Sequence, residues 1–97
     1  MSLIYKEKYH PKIKKDLKKL DRAVREEIKK RHLPKILTDP ARGESLVGDL
    51  SGLRSYHFKS ADQEHPIACG ISEEEKTVYF LMIAKRENFY EILRRRI

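Results

Sequence analysis

The sequence predicts an α+β fold in the order β-α-α-β-β-β-α. It consists of a mostly antiparallel four-stranded sheet, two amino-terminal helices packed on one face and a short carboxy-terminal helix. Three observations predict this fold. Apolar residues recur every three to four positions in the first third of the chain, and a period of two begins at Leu53. A β-prone run from Thr77 to Ala84 then leads into a basic segment. With 97 residues, the chain is expected to form a single domain, residues 1–97.

The first half of the predicted fold is a strand followed by two helices. Residues 4–9 alternate loosely between apolar and polar side chains, as strands do, and His10-Pro11 ends this strand. Asp21 marks the turn between the two amphipathic helices. Their shared apolar stripe has spacings of four, three, four and four: Ile13, Leu17, Leu20, Val24 and Ile28. Pro34 is expected to kink or end the second helix.

The second half of the predicted fold is a connector followed by three strands. Residues 38–52 contain Asp39-Pro40 and three glycines, so they are expected to cross from the helices to the sheet. Alternation then assigns side chains to two faces: Arg54, Tyr56 and Phe58 to one, and Ser55, His57 and Lys59 to the other. A polar hairpin loop at residues 60–65 precedes the next strand, which is expected at residues 67–71.

The composition restricts the partners and the compartment. Lysine and arginine outnumber aspartate and glutamate 22 to 15, which gives a formal charge of +7 and favours an anionic partner such as nucleic acid, a ribosome or an acidic protein. The single cysteine, Cys69, excludes an internal disulfide framework and fits a reducing cytoplasm. The longest apolar run is too short to cross a membrane. We therefore expect a cytoplasmic protein without membrane contacts.

The exit of the last strand has the chemistry of a nucleic-acid site. The segment Lys85-Arg86-Glu87-Asn88-Phe89-Tyr90 follows directly, and Arg86 and Tyr90 lie one helical turn apart on one face. A guanidinium group binds a phosphodiester charge, and a phenol ring can stack on a base. Because a buried strand is a rigid mount, both groups are expected to be held in fixed positions.

An ordered set of segments along the chain also resembles a known family. The segments are Lys15 to Asp21, Asp39-Pro40, Leu46 to Leu53, the three strands, and Lys85 to Tyr90. Together they resemble the RelE/ParE superfamily of toxins from type II toxin–antitoxin modules, over nearly the whole chain. The resemblance implies a toxin bound by an acidic antitoxin in a hetero-oligomer. The RelE branch cuts mRNA on the ribosome without a metal or cofactor, whereas the ParE branch inhibits DNA gyrase.

The resemblance implies roles for particular residues. Arg86 matches the arginine that holds the scissile phosphate, and Tyr90 matches the tyrosine that contacts the mRNA. The expected catalytic residues are Arg86, His57, His65 and Tyr90; the expected RNA-binding residues are Arg54, Lys59, Lys85 and Arg94; no metal ligand is expected. The chain departs from the family in the third strand, where Pro66 stands at the usual position of an arginine. His65 or Lys59 is then the candidate to replace that missing charge.

Two functions remain open on these residues. The first is a ribosome-dependent, metal-independent mRNA endoribonuclease, with His57 or His65 transferring the proton, since histidine titrates near neutral pH. The alternative is a non-enzymatic gyrase inhibitor of the ParE type, or an inactive toxin homologue, which Pro66 favours. A basic RNA-binding domain is a third, more distant reading.

Other charged and apolar residues have simpler interpretations. Asp16 lies among lysines at helical spacing and is expected to form exposed ion pairs, and the cluster Arg94-Arg95-Arg96 is expected to be a solvated helix end. The antitoxin is expected to bind a groove between the sheet and residues 86–96. Its expected apolar anchors are Ile92, Leu93 and Ile97.

Overall fold

Five strands form one sheet in the order β1-β5-β4-β3-β2. The computed structural model describes residues 4–60 and 62–97. The strands are β1 Lys6–Tyr9, β2 Glu44–Ser45, β3 Leu53–Ser60, β4 Gln63–Ser72 and β5 Thr77–Ile83. Neighbouring strands from β2 to β5 are antiparallel, and β1 pairs with β5 in parallel. The predicted α+β class is therefore confirmed, while the prediction of four strands is corrected to five.

The additional strand, β2, lies inside the predicted connector. Its two residues pair with Ser55 and Arg54 at the edge of the sheet. Gly43 precedes β2 and allows this close approach, because a Cβ atom there would lie 3.2 Å from the Ser55 carbonyl oxygen. Two residues are too few to show the alternation that predicts a strand, so β2 could not be distinguished from the connector in the sequence.

The helices are α1 Ile13–Lys18, α2 Arg22–Glu27, α3 Leu33–Thr38 and α4 Phe89–Arg96. A π-helical turn, Ile28–His32, joins α2 to α3, so the helix neither ends nor restarts at Pro34. The wider turn immediately before Pro34 fits the steric conflict between a proline ring and the preceding turn. Short 3₁₀ turns occupy Pro40–Arg42 and Gly48–Leu50.

The hairpin between β3 and β4 is tighter than the sequence suggests. Ser60 pairs with Gln63, so the predicted loop at residues 60–65 is wrong beyond its first positions, and β4 begins before Pro66. Asp62 has a φ angle of 62°, which suits a short turn. The polar side chains of residues 63–65 favoured a loop in the sequence. In the structure they begin β4, which is paired with β3.

Two apolar clusters cover the two faces of the sheet. Helices α1 to α3 bury the larger one with side chains such as Ile28, Ile36, Ile67 and Phe80. Helix α4 covers the other face with Phe89 and Leu93; this smaller cluster also contains Leu50, Ala68 and Met82. A register shift between Ala68 and Cys69 redirects β5 near its end. Because α4 lies on the opposite face from α1 to α3, the carboxy-terminal segment meets β3 and β4 on the face of α4.

Candidate functional site

A groove lies where β3, β4 and the segment after β5 meet. Its volume is about 510 Å³, and the residues that line it are Glu44, His57, Phe58, Lys59, Glu64, Arg86 and Tyr90. Alternation along β3 directs His57 and Lys59 to this face, and Tyr90 reaches it from the first turn of α4. Four of the sequence-predicted residues, His57, Lys59, Arg86 and Tyr90, are therefore neighbours in one groove.

Glu64 links the imidazole of His57 to the guanidinium group of Arg86. Its Oε1 accepts a hydrogen bond from His57 Nδ1 at 2.6 Å, and its Oε2 accepts one from Arg86 Nη1 at 3.1 Å. The Arg86 backbone amide also donates to the Glu64 carbonyl at 3.3 Å. The hydrogen bond from His57, and then the charge of Arg86, hold the pKa of the Glu64 carboxyl below its ordinary value. Glu64 is therefore an ionised acceptor that orients both partners.

His57 is held at both ring nitrogens. With Nδ1 donating to Glu64, Nε2 of the neutral ring is the acceptor, and the Ser55 hydroxyl lies 3.1 Å from it. Ser55 is fully buried, whereas 27% of the His57 side chain and 24% of the Glu64 side chain remain exposed. The imidazole is thus fixed from below by β3 and stays open to the groove.

Arg86 and Tyr90 reach the groove by different routes. The Arg86 side chain is 70% exposed, so its ion pair with Glu64 is weak and leaves donors free. Tyr90 is half-buried and its ring meets the Phe89 ring edge-on at 5.4 Å, which anchors it because Phe89 is fully buried. Asn88, with a φ angle of 55°, turns the chain into α4 between them. The cation and the phenol are therefore supported independently.

His65 lies on the opposite face from this groove. It pairs with Phe58 across the hairpin, and their rings stack at 5.3 Å on the side of α1 to α3. Only 2% of His65 is exposed, its Nδ1 has no hydrogen-bond partner, and burial lowers its pKa. The enclosed His65 imidazole therefore does not reach the groove that contains Arg86.

The remaining predicted RNA-binding residues lie outside the groove. Arg54 is on the same side of β3 as Tyr56 and donates to the Gly43 carbonyl at 2.7 Å. Arg94 forms an exposed ion pair with Asp49 at 2.9 Å. Lys85 is exposed and lines a separate groove beside α4. These three residues are therefore placed around the site and not within it.

Sequence reasoning did not identify Glu64. It was assigned to a hairpin loop, where a glutamate has no fixed neighbour. Once Ser60 pairs with Gln63, Lys59 lies opposite Glu64 and both share the face of His57. Aspartate tolerates the left-handed conformation of a tight turn, so Asp62 was the available signal, but the polar side chains around it favoured a longer loop.

No group of three or more histidine, cysteine, aspartate or glutamate side chains in residues 4–60 and 62–97 is arranged to hold a metal ion. Within the same ranges, no helix has the length and apolar character needed to cross a bilayer. The ionisable side chains that line the groove include those of His57, Lys59, Glu64 and Arg86.

Comparisons with known proteins agree with this architecture. A family model described as the ParE-like toxin of type II bacterial toxin–antitoxin systems matches residues 8–94. The chain therefore belongs to the family of ParE-like toxins of type II toxin–antitoxin systems. No curated protein is matched.

Solved structures of RelE toxins share the fold. The RelBE2 toxin–antitoxin complex of Mycobacterium tuberculosis is 21% identical with a TM-score of 0.76, and the alignment covers 86% of this chain and 99% of the other. A mutant E. coli RelE toxin in the free state is 18% identical with a TM-score of 0.70, covering 97% and 99%. The archaeal RelE–RelB complex of Pyrococcus horikoshii is 19% identical with a TM-score of 0.57, covering 89% and 97%. At these identities the likeness establishes the fold.

Proposed function

We propose that this toxin inhibits translation in the cytoplasm by cutting mRNA on the ribosome without a metal. The observation that supports the proposal best is the carboxylate of Glu64, which joins His57 to Arg86 in a groove that also contains Lys59 and Tyr90. Metal-free RNA cleavage requires a base for the 2′-hydroxyl, a cation for the phosphate and an acid for the 5′-oxygen, and an aromatic ring can position a nucleobase.

In the proposed reaction, the 2′-oxygen of the RNA attacks the adjacent phosphorus. His57 Nε2 takes the 2′-hydroxyl proton after the Ser55 hydroxyl turns away, and the hydrogen-bonded His57–Glu64 pair shares this proton. The bond from phosphorus to the 5′-oxygen breaks, and the leaving oxygen takes a proton from Lys59. The products are a 2′,3′-cyclic phosphate and a free 5′-hydroxyl, so atoms and charges balance.

Arg86 has the role of stabilising the charge that accumulates on the phosphate. Its exposed ion pair with Glu64 contributes little, so a phosphate oxygen can take the guanidinium donors that Glu64 does not use. Tyr90 offers the exposed part of its ring to a base beside the scissile bond. Such charge stabilisation is typically worth about 10²- to 10³-fold in rate.

The test is to express the toxin without its antitoxin and map new mRNA 5′ ends. Wild-type protein should produce ends at regular positions within codons, and Arg86→Ala should not. Arg95→Ala is the matched control, because Arg95 is an exposed arginine of α4 outside the groove. Arrested growth without new 5′ ends would contradict the proposal.

A second candidate is non-enzymatic inhibition of DNA gyrase. Pro66 supports it, since this residue is fully buried opposite His57 and supplies no charge to the groove. Under this proposal the groove is a binding surface only. Purified toxin would then block gyrase supercoiling in the absence of any RNA.

The partner we propose is an acidic antitoxin that forms a hetero-oligomer with the toxin. Two of the related structures described above are toxin–antitoxin complexes by their descriptions. The expected anchor Leu93 is fully buried, so the groove beside α4 exposes mainly Ile92. A larger groove of about 730 Å³ lies between β1 and the helices. Its apolar lining includes Tyr9, Leu17 and Leu33. We place the antitoxin segment in this larger groove.

Charge reversals distinguish the two grooves. Lys14 and Lys29 line the larger groove, and Lys19 and Lys85 line the smaller. Converting Lys14 and Lys29 to glutamate should slow association with the antitoxin about tenfold or more at low salt, and high salt should remove the difference. Converting Lys19 and Lys85 should have little effect. The opposite ranking would place the antitoxin beside α4.

A further inference from the structure

A buried ion pair joins the first and the last helix, away from the groove that contains His57 and Glu64. Arg96 Nη1 donates to Asp16 Oδ2 at 2.6 Å, and Nη2 donates to Oδ1 at 2.9 Å. The two side chains are only 9% and 7% exposed. Both interpretations from the sequence are therefore wrong: Asp16 is not in an exposed pair, and the end of α4 is not fully solvated. A bidentate geometry this enclosed fixes the position of both helices.

The same two side chains complete the hydrogen bonding of β5. Strand β1 covers β5 only as far as Phe80, whose carbonyl accepts the His10 amide at 2.8 Å. Beyond that point Arg96 donates to the Leu81 carbonyl at 2.9 Å, and Asp16 accepts the Ile83 amide at 3.1 Å. The ion pair thus takes the place of the next residues of a neighbouring strand. It satisfies backbone groups that are costly to bury unpaired.

These bonds hold both ends of the segment that carries the site. The segment from Ile83 to Arg96 includes Arg86 and Tyr90. Asp16 binds its first amide, and Arg96 is the last residue of α4. An eight-residue helix is not stable in isolation, so α4 depends on tertiary contacts. Phe89 and Leu93 supply the apolar contacts of α4. The Asp16–Arg96 ion pair adds a polar contact at the carboxy-terminal end of the helix.

We propose that Asp16 and Arg96 are positioning residues that clamp this segment and thereby hold Tyr90, and with it Arg86, in the groove. The kinetic part of this inference rests on the proposed RNA cleavage, whereas the structural part does not. The clamp acts through α4 and touches no substrate, because it lies outside the groove that contains His57 and Glu64.

The structural test is hydrogen exchange of the toxin carrying Arg96→Ala, with Arg95→Ala as the matched control. Arg96→Ala should speed exchange of the α4 amides at least tenfold while β3 and β4 keep their protection, and Arg95→Ala should leave α4 unchanged. If Arg96→Ala does not fold, Asp16→Asn replaces it, since this variant keeps the shape of the side chain. Unchanged α4 exchange in a folded variant would overturn the clamp.

The kinetic test is a double-mutant cycle between the clamp and Tyr90. Arg96→Ala should lower kcat for RNA cleavage at least tenfold, and adding Tyr90→Ala should lower it little further, because Tyr90 is already displaced. Fully additive losses would show that the clamp stabilises the fold without positioning Tyr90. If the wild-type toxin cleaves no RNA, the proposed function fails while the exchange experiment still decides the clamp.

Discussion

Two histidines on one hairpin differ in almost every property that chemistry uses. His57 on β3 is open to solvent on one side, bonded at both ring nitrogens and paired with Glu64. His65 on β4 is enclosed, stacked on Phe58 and unpartnered at Nδ1. The strands are adjacent, but the two side chains point to opposite faces of the sheet. The difference shows that strand register, and not residue type, decides which imidazole reaches the groove.

The face occupied by His65 already contains a satisfied histidine. The His32 ring also stacks on the Phe58 ring, with 3.9 Å between the ring centroids. Its ring nitrogens lie 2.9 Å from the Tyr56 hydroxyl and 2.9 Å from the Glu27 carboxylate. This network joins α2, the π-helical turn and β3 in the larger core. It carries no exposed cation comparable to Arg86. The face of α1 to α3 therefore stabilises the fold, and the groove with His57, Glu64 and Arg86 lies on the face of α4.

The largest expected effect comes from removing the charge of Glu64. Glu64→Gln keeps the size of the side chain but cannot take up the 2′-hydroxyl proton, so RNA cleavage should fall by about 10²- to 10⁴-fold. Glu44→Gln is the control, because Glu44 lines the same groove without an ion pair in the described part of the chain. Rates on ribosome-bound mRNA check this. Faster cleavage would mean that Glu64 masks Arg86 instead of assisting His57.

The same substitution at both histidines tests whether only His57 takes part in the proposed reaction. His57→Gln should lower cleavage by about 10²-fold or more, since a glutamine transfers no proton. His65→Gln should leave kcat within about twofold, because its side chain does not reach the groove. Single-turnover cleavage measures both. Equal losses would mean that His65 contributes to the reaction through the sheet.

The sequence sufficed for side chains whose position depends on local pattern. Alternation along β3 placed His57 and Lys59 on one face, and the motif after β5 identified Arg86 and Tyr90. Glu64 was missed because its partner is set by the hairpin register, which polarity disguised. The Asp16–Arg96 pair joins residues 80 positions apart, and no local periodicity predicts such a contact. Strand β2 has only two residues, too few to show a strand period, and Gly43 eases the close backbone approach beside it.

A smaller effect is expected on stability. His65→Leu removes a buried nitrogen without a hydrogen-bond partner and keeps an apolar side chain against Phe58. The free energy of unfolding should rise by about 1 kcal/mol, which is typical for relieving one unsatisfied buried polar group. Denaturant unfolding at neutral pH measures the change. A loss of stability would indicate that stacking of the imidazole matters more than its missing hydrogen bond.

The smallest expected effect is a pH dependence that distinguishes the two faces. Burial lowers the pKa of His65 below its ordinary value. The Gln63 backbone, Glu27 and Asp21 oppose this shift, and Lys85 acts in the same direction. Between the lowered folded pKa and the unfolded value of about 6.5, the unfolded chain binds more protons. Stability should therefore fall as the pH drops through this window.

The control for this pH dependence is the same leucine variant. In His65→Leu, the component that belongs to His65 is absent, so the wild-type curve minus the variant curve isolates it from the other histidines. Glu64 behaves differently, because its lowered pKa contributes stability that is lost only as the pH falls below about 4.5. Unfolding curves at pH values above and below about 6.5 separate the two contributions. A difference between the two curves that stays constant with pH would mean that His65 titrates alike in the folded and unfolded chain.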